Sequence, residues 1–242
     1  MGDELPEIIW MRAERPARGP APAHSRAQIA ALAVKIADAE GLEALSMRRV
    51  AKELGAGTMS LYRYVPSKDD LIELMIDEVI GEFIPDPAEL HGEWRADLRL
   101  LAHHGRRALR RHPWMAGQPN GMTFGPKAMQ LAEVALGAVD GLGLNIDQMM
   151  SVTGMVTSYV HGFVATELAA AEARRRTGLN DEQLMMANAP YIRSILETGR
   201  YPLIERVIVE ARQPHMDPDE RFEYGLERIL DGVAGSLPGR RC

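Results

Sequence analysis

The stretch Gly55–Lys68, GAGTMSLYRYVPSK, sets two glycines, a proline and three aliphatic hydroxyl side chains between two helical runs. A chain that must end one helix and begin another within so short an interval folds the two against each other. Upstream, Ile29, Leu32, Ala33, Ile36 and Ala37 recur at helical spacing behind Ser25, a capping residue, and Gly41 ends that run. A second, shorter helix is expected from about Ser46 to Leu54, with Val50, Ala51 and Leu54 on one side. Ser67 opens a longer helix to about Phe83, with Asp70 as its reciprocal capping partner and Asp69 in its positive first turn. In the interval itself, Gly55 supplies the left-handed backbone that closes the preceding helix and Gly57 allows a tight reversal. Thr58 then caps a third helix of about two turns, in which Leu61 and Val65 point inward together. Met59, Ser60, Tyr62, Arg63 and Tyr64 are left outside. Two short helices crossing at small Ala51, the second presenting polar and aromatic groups, make a helix-turn-helix.

That composition suits a DNA groove. Thr58, Met59 and Ser60 are short enough, and close enough to the start of their helix, to reach base edges and thymine methyl groups. The hydroxyls of Tyr62 and Tyr64, with Arg63 and Lys68, suit phosphate oxygens. Ser46, Arg48 and Arg49, at the start of the preceding helix, can clamp the backbone or reach a guanine. Charge follows the same division: from Arg12 to Lys68 ten cations face five carboxylates, although the 242-residue chain carries a net −6. A basic end on an acidic body directs only the amino-terminal part towards a polyanion. It argues against an architectural DNA coat, which needs a broad basic surface.

The sequence from Ser25 to Phe83 resembles the DNA-binding domain of the TetR family of bacterial transcriptional regulators. The resemblance is carried by the first helix ending in AEGLEAL, the supporting MRRVAKELG, LYRYV at the recognition helix, and the Ser-Lys start of the fourth helix. It implies that Arg48 and its neighbours contact DNA from the second helix. It also implies that Thr58, Met59, Ser60, Tyr62, Arg63 and Tyr64 occupy recognition positions, and that Lys68 holds a phosphate. Met59 departs from the proline or small residue usual in the family. The rest of the chain is similar to the regulatory domain of the tetracycline-repressor branch. Where that branch places polar ligand contacts, this chain has Phe83, Leu101, Gly105 and Pro119, which do not fit a tetracycline with magnesium.

Read from its residues, the carboxyl-terminal part is helical too. A core face of Leu98, Leu101, Ala102, Ala108 and Leu109 predicts a helix from Glu93 to His112, stopped by Pro113. Gly121–Gly125 reads as a loop and Lys127–Leu142 as another helix. Asn145 with Gln148 caps a long helix whose apolar face contains Val152, Val156, Tyr159, Val160, Phe163, Val164 and Leu168. Gly154, Ser158, Gly162, Ala165 and Ala169 line a second, small-residue stripe on it. Asp217-Pro218 opens the last helix. Doubled by a two-fold axis, the long and last helices are enough for a four-helix dimer interface. Gln148–Thr166 has no Asp, Glu, Lys or Arg, but Ser151, Thr153, Thr157, Ser158, His161 and Thr166 interrupt it, so a buried helix is expected rather than a membrane span.

The expectation is an all-α protein in three parts: a flexible arm over 1–24, a helix-turn-helix domain over 25–70, and a helical ligand-binding and dimerisation domain over 71–242. Its function is that of a homodimeric, sequence-specific regulator, a repressor released from a palindromic double-stranded DNA operator by a small, largely hydrophobic effector. Leu101, Trp114, Met122, Tyr159 and Phe163 are the apolar candidates for the effector pocket, with His104 and His161 as polar anchors. No cofactor, metal site or catalytic constellation is expected: His103, His104 and His112 lack a Glu or Cys at ligand spacing. The lone Cys242 fits a reducing cytoplasm. The residues also leave open a helical enzyme or small-molecule-binding protein that retains a non-functional helix-turn-helix.

Overall fold

The computed structural model describes residues 8–12, 24–117, 124–210 and 216–238. Every regular element among them is a helix. The amino-terminal unit is α1 (Arg26–Glu40), α2 (Met47–Glu53) and α3 (Thr58–Leu61). Ser25 and Gln28 cap α1 reciprocally, Ser46 caps α2, and Gly55 takes the expected positive φ of 68°. Leu61 and Val65 are fully buried. Two local expectations are corrected. The cap of α3 is Gly57, with no side-chain hydrogen bond, so Thr58 is the first helical residue. The helix also makes one α-turn rather than two, because Arg63 and Tyr64 donate to carbonyls three residues back and Val65 precedes a proline, which disfavours helical backbone.

Helix α4 (Lys68–Ile80) packs along α1 and, at its far end, against α6 (Pro126–Val139). Its cap departs from expectation in detail: the Ser67 hydroxyl donates to Asp70 at 2.7 Å rather than Asp70 reaching the Ser67 amide, since Asp is one methylene shorter than the usual Glu. Helix α6 begins at Pro126 behind Gly125 and has no cap of its own. Buried Asp77 of α4 supplies one, accepting from the amides of Lys127 and Ala128 at 3.1 and 3.0 Å. A Cβ at Gly125 would overlap that carboxylate and crowd the ring of Trp10, so glycine is what lets the two elements meet. Helix α6 ends at Val139, short of the expected Leu142, where Gly141 and Gly143 take positive φ.

Residues 8–12 correct the reading of 1–24 as a flexible arm. Ile9 is fully buried, the indole of Trp10 donates to Glu73 of α4 at 2.7 Å, and Arg26 of α1 donates to the carbonyls of Ile9 and Arg12. One apolar Ile and one Trp suffice to dock the segment, which proline-rich composition concealed.

Helices α5 (Trp94–Arg111), α7 (Ile146–Thr177) and α10 (Pro218–Ser236) form the carboxyl-terminal core. Asn145 with Gln148 and Asp217 with Glu220 form the capping boxes of α7 and α10. The faces of α5 and α10 carry opposite charge. Asp219, Glu223, Glu227 and Asp231, spaced by four, run antiparallel to Arg110, Arg106, His103, Arg99 and Arg95. Buried Arg106 is the centre of this zipper: it pairs with Glu167 at 2.6 Å and Asp219 at 2.7 Å and lies over the rings of Phe222 and Phe163. Burial disfavours its charge, but these two carboxylates more than offset that. Between α7 and α10 stand α8 (Asp181–Leu196) and α9 (Pro202–Glu210), which the spacing of apolar residues did not single out. Among the described residues no helix is long and apolar enough to cross a membrane.

The contact of α7 with α10 supplies a stability test. Tyr159 donates its hydroxyl to the carbonyl of Phe222 at 2.9 Å and its ring occupies the space a side chain at Gly225 would need. Gly225→Ala is expected to lower stability by ~1–3 kcal/mol in denaturant unfolding, the cost of overpacking a closed contact. An unchanged midpoint would mean that Tyr159 moves aside freely.

Candidate functional site

The expected DNA-contacting residues lie on α2, on α3 with the turn after it, and at the first residue of α4. Met59 is 77% exposed and Tyr62 42%; Arg48, Arg63 and Lys68 are exposed and make no ion pair with a described residue. Thr58, Ser60 and Tyr64 are half-buried at the edge of the same helix. The turn is fixed from beneath, where the Arg26 guanidinium donates to the carbonyl of Tyr64 at 3.0 Å. Two expected residues are partly committed elsewhere. The Ser46 hydroxyl accepts from the Arg49 amide as the cap of α2. The Arg49 guanidinium is held by Glu40 at 2.8 Å and by Glu53 at 3.1 Å, tying α2 to the end of α1. Arg48, one position earlier, is the cation that remains available there.

A half-open cavity of about 530 Å³ is lined by α4, α5, α6 and α7. Ile76 and Ile80 come from α4, Leu98, Leu101 and Gly105 from α5, Leu131 and Leu136 from α6, and Phe83 and Met115 from connecting turns. Among the described residues no acidic side chain, lysine or arginine lines it. The polar side chains among them, Thr153, Thr157, Ser158 and His161, belong to α7. Thr157 donates to the carbonyl of Thr153 at 3.0 Å and Thr153 to that of Met150 at 3.1 Å. Their hydroxyls therefore offer lone pairs to an occupant. Burial pushes the His161 imidazole below its usual pKa, leaving it neutral near pH 7 with one donor and one acceptor nitrogen.

Of the residues expected at an effector pocket, Leu101 and His161 line this cavity and the other described ones stand elsewhere. Tyr159 and Phe163 pack on Phe222 of α10 at 5.5 and 5.2 Å between ring centroids. Trp114 donates its indole N–H to Asp38 at 2.8 Å. His104 sits 3.8 Å from Glu89, away from the cavity lining, and burial, followed by the positive charge of Arg107, lowers its pKa. Met122 lies outside the described residues. The cause is helical phase. Positions 159 and 163 form one i,i+4 stripe of α7 and the cavity-lining positions 156 and 160 another, and the single broad apolar face expected for this helix merged them. The available sequence signal was that Thr153, Thr157 and His161 repeat every four residues. Phe83, Leu101 and Gly105, the apolar replacements for the tetracycline branch's polar contacts, do line the cavity, while Pro119 is outside the described residues.

Both halves of this arrangement have counterparts. Residues 29–75 match the family described as bacterial regulatory proteins, tetR family, and residues 86–237 match the tetracyclin repressor-like C-terminal domain. The HTH-type transcriptional repressor DrrR1 of Streptomyces coeruleorubidus is 42% identical over 237 residues, 97% of this chain and 86% of that protein. An HTH-type transcriptional regulator of Saccharopolyspora erythraea is 33% identical over 163 residues, covering 67% of this chain and 68% of that one. Among solved structures, the Streptomyces coelicolor TetR family protein ActR in complex with actinorhodin superposes with a TM-score of 0.72 at 27% identity, covering 90% of this chain and 99% of ActR. Apo ActR gives 0.69 at 27% identity over 89% and 96% of the two chains.

His161 supports a pH prediction. The folded state depresses its pKa, so the unfolded chain binds a proton that the native chain refuses. Its contribution is fully present above its unfolded value of about 6.5 and is lost as pH falls below that value. Stability should therefore rise with pH up to about 6.5, and His161→Gln should flatten that slope in denaturant titrations. His104, shifted the same way, leaves a residual slope. An identical slope in the variant would place the proton uptake elsewhere.

Proposed function

Since this chain belongs to the TetR family of DNA-binding transcriptional regulators, we propose that it acts in the cytoplasm as a homodimeric repressor. In this reading a flat, largely apolar, uncharged effector, bearing hydroxyl or carbonyl groups along one edge, releases it from DNA. The observation that carries this reading is a cavity whose polar side chains, among the described residues, are uncharged and stand on one wall, together with a helix-turn-helix in which Arg48, Arg63 and Lys68 make no ion pair with a described residue. A cavity of about 530 Å³ falls within the range for small-molecule sites. Its acceptor hydroxyls at Thr153 and Thr157 and the neutral His161 select hydrogen-bonding groups rather than an ion. ActR, whose complex with actinorhodin has a similar fold, supports a polycyclic aromatic as the first effector class to test.

For dimerisation, the support is the exposed small-residue stripe of α7. Gly162 and Ala165, with Gly154 and Ser158 where the stripe borders the cavity, are exposed in the single chain, and a Cβ at Gly154 or Gly162 would meet nothing. A second copy laid along this stripe could approach closely and place two recognition helices in successive major grooves, roughly 34–36 Å apart or a multiple of that.

In this arrangement α3 enters the groove, Thr58, Met59 and Ser60 read base edges, and Tyr62, Arg63, Tyr64, Arg48 and Lys68 hold phosphates. Ser46 and Arg49 serve mainly to fix α2. Effector binding shifts the balance between head orientations by no more than its differential affinity for them.

Selection of bound duplexes from a random pool should recover an inverted repeat. On it, Arg63→Ala should weaken binding across all sequences and lower the salt slope by about 1, whereas Ser60→Ala should change the preference at one base pair. Recovery of no motif at low salt would transfer weight to the enzyme or small-molecule-binder reading. Equal loss from both variants on every duplex would overturn the division of labour. For the effector, Thr157→Val and His161→Leu should each weaken the best polycyclic ligand by about tenfold, as expected for one hydrogen bond lost, without altering effector-free operator affinity. Unchanged ligand affinity in both variants would place the effector elsewhere.

A further inference from the structure

Helix α1 ends with two carboxylates, Asp38 and Glu40, in its last turn. That is the wrong end for them, because the carbonyl end of a helix is negative. Each is compensated by a different part of the molecule. Glu40 is paired with Arg49 of α2, inside the DNA-binding unit. Asp38 instead faces the ligand domain: its Oδ1 atom accepts the indole N–H of Trp114 at 2.8 Å and lies 2.7 Å from Nδ1 of His112. The opposite ring nitrogen of His112 is 3.2 Å from Glu82, just beyond α4. His112 is 2% exposed and Trp114 9%, and their rings meet edge to face at 6.4 Å. One carboxylate oxygen of the DNA-binding unit is thus gripped by two buried side chains at the end of α5.

The grip is continuous with the cavity wall. Trp114 and Met115 are successive residues of the short 3-10 turn Pro113–Gly117; Met115 lines the cavity and donates its amide to the carbonyl of His112 at 3.0 Å. An occupant that presses on Met115 acts on the residue next to Trp114, within a turn whose first residue is a proline. The connection is physically separate from α4, which joins the same two units through its own length.

We infer that Asp38, held by Trp114 and His112, is a positioning residue: it sets the angle of the DNA-binding unit on the ligand domain, and the Pro113–Gly117 turn makes that angle sensitive to what fills the cavity. The inference rests on the proposed reading of α3 as the groove-entering helix. In the effector-free protein the latch is closed and holds the two recognition helices at operator spacing. Opening it leaves α4 as the main remaining restraint, so the unit swings over a wider range and operator binding must first narrow that range again.

The test needs no effector. In a Cys242→Ser background, Lys35→Cys places one spin label on the exposed side of α1 in each subunit, and pulsed EPR reads the distance between the two heads. Asp38→Ala and Trp114→Phe are compared with the parent on the selected operator and by EPR, with thermal unfolding and sedimentation as checks on fold and dimer. Both variants should retain a single cooperative transition, broaden the interhead distance distribution and weaken operator affinity by about tenfold, the scale of a lost hydrogen bond to a charged group. Variants that fold and dimerise like the parent yet keep its distance distribution and affinity would overturn the inference. Should Asp38→Ala fail to fold, Trp114→Phe decides, since it deletes the N–H and keeps an aromatic ring. A parent that binds no duplex would refute the operator reading alone, because the distance distributions still answer the question of the latch. A parent that is monomeric would refute the dimer reading, and the affinity comparison would then decide.

Discussion

Helix α4 has to satisfy two cores at once, and the rest of the molecule is arranged around that requirement. It packs along α1 in the DNA-binding unit, while Ile76 and Ile80 form part of the cavity wall. Asp77 makes the arrangement rigid: its carboxylate is buried, and burial is tolerated because the first amides of α6 need an acceptor that Gly125 and Pro126 cannot provide. A helix terminus in one unit and a charge in another are therefore satisfied by each other. The pairing of Lys127 with Glu78 at 2.6 Å adds a second tie at the same junction. These bonds join the start of α6 directly to α4.

Charge and polarity are sorted by location with similar economy. The α5–α10 face carries ionic pairs at helical spacing, with Arg106 buried only where two carboxylates and two aromatic rings receive it. The cavity side of α7 carries hydroxyls and a neutral imidazole, and among the described residues no full charge lines the cavity. An apolar space without ions admits an uncharged molecule at little desolvation cost, whereas an unpaired charge would have demanded a counter-ion from the ligand. The helix-turn-helix follows the reverse rule: Arg48, Arg63 and Lys68 make no ion pair with a described residue, which is the state in which a phosphate is their best partner.

Much of this was legible along the chain, because it depends on local chemistry. Ser25, Ser46, Asn145 and Asp217 cap helices where their short polar side chains stand before apolar periodicity, and Gly55 turns left-handed where the helix must stop. Leu61 and Val65 were bound to be inside, since nothing else on so short a helix can anchor it. The zipper between Asp219–Asp231 and Arg95–Arg110 was not read from the chain, because no local rule specifies the antiparallel meeting of two helices more than a hundred residues apart.

What escaped the sequence was phase and long-range partnership. Tyr159 and Phe163 carry the same apolar character as true cavity residues, and only the position of α10 decides that they face Phe222 instead. Ile9 and Trp10 dock because α1 and α4 together offer a slot and an acceptor, neither of which exists near them in sequence. The sequence by itself determined the helices, their ends and the chemistry displayed on α3, since these follow from interactions within a few residues. The tertiary structure alone decided which stripe of α7 lines a cavity, what Asp38 and Asp77 hold, and how the two units are joined, because a buried polar group is satisfied by whichever distant donor the packing brings within hydrogen-bond reach.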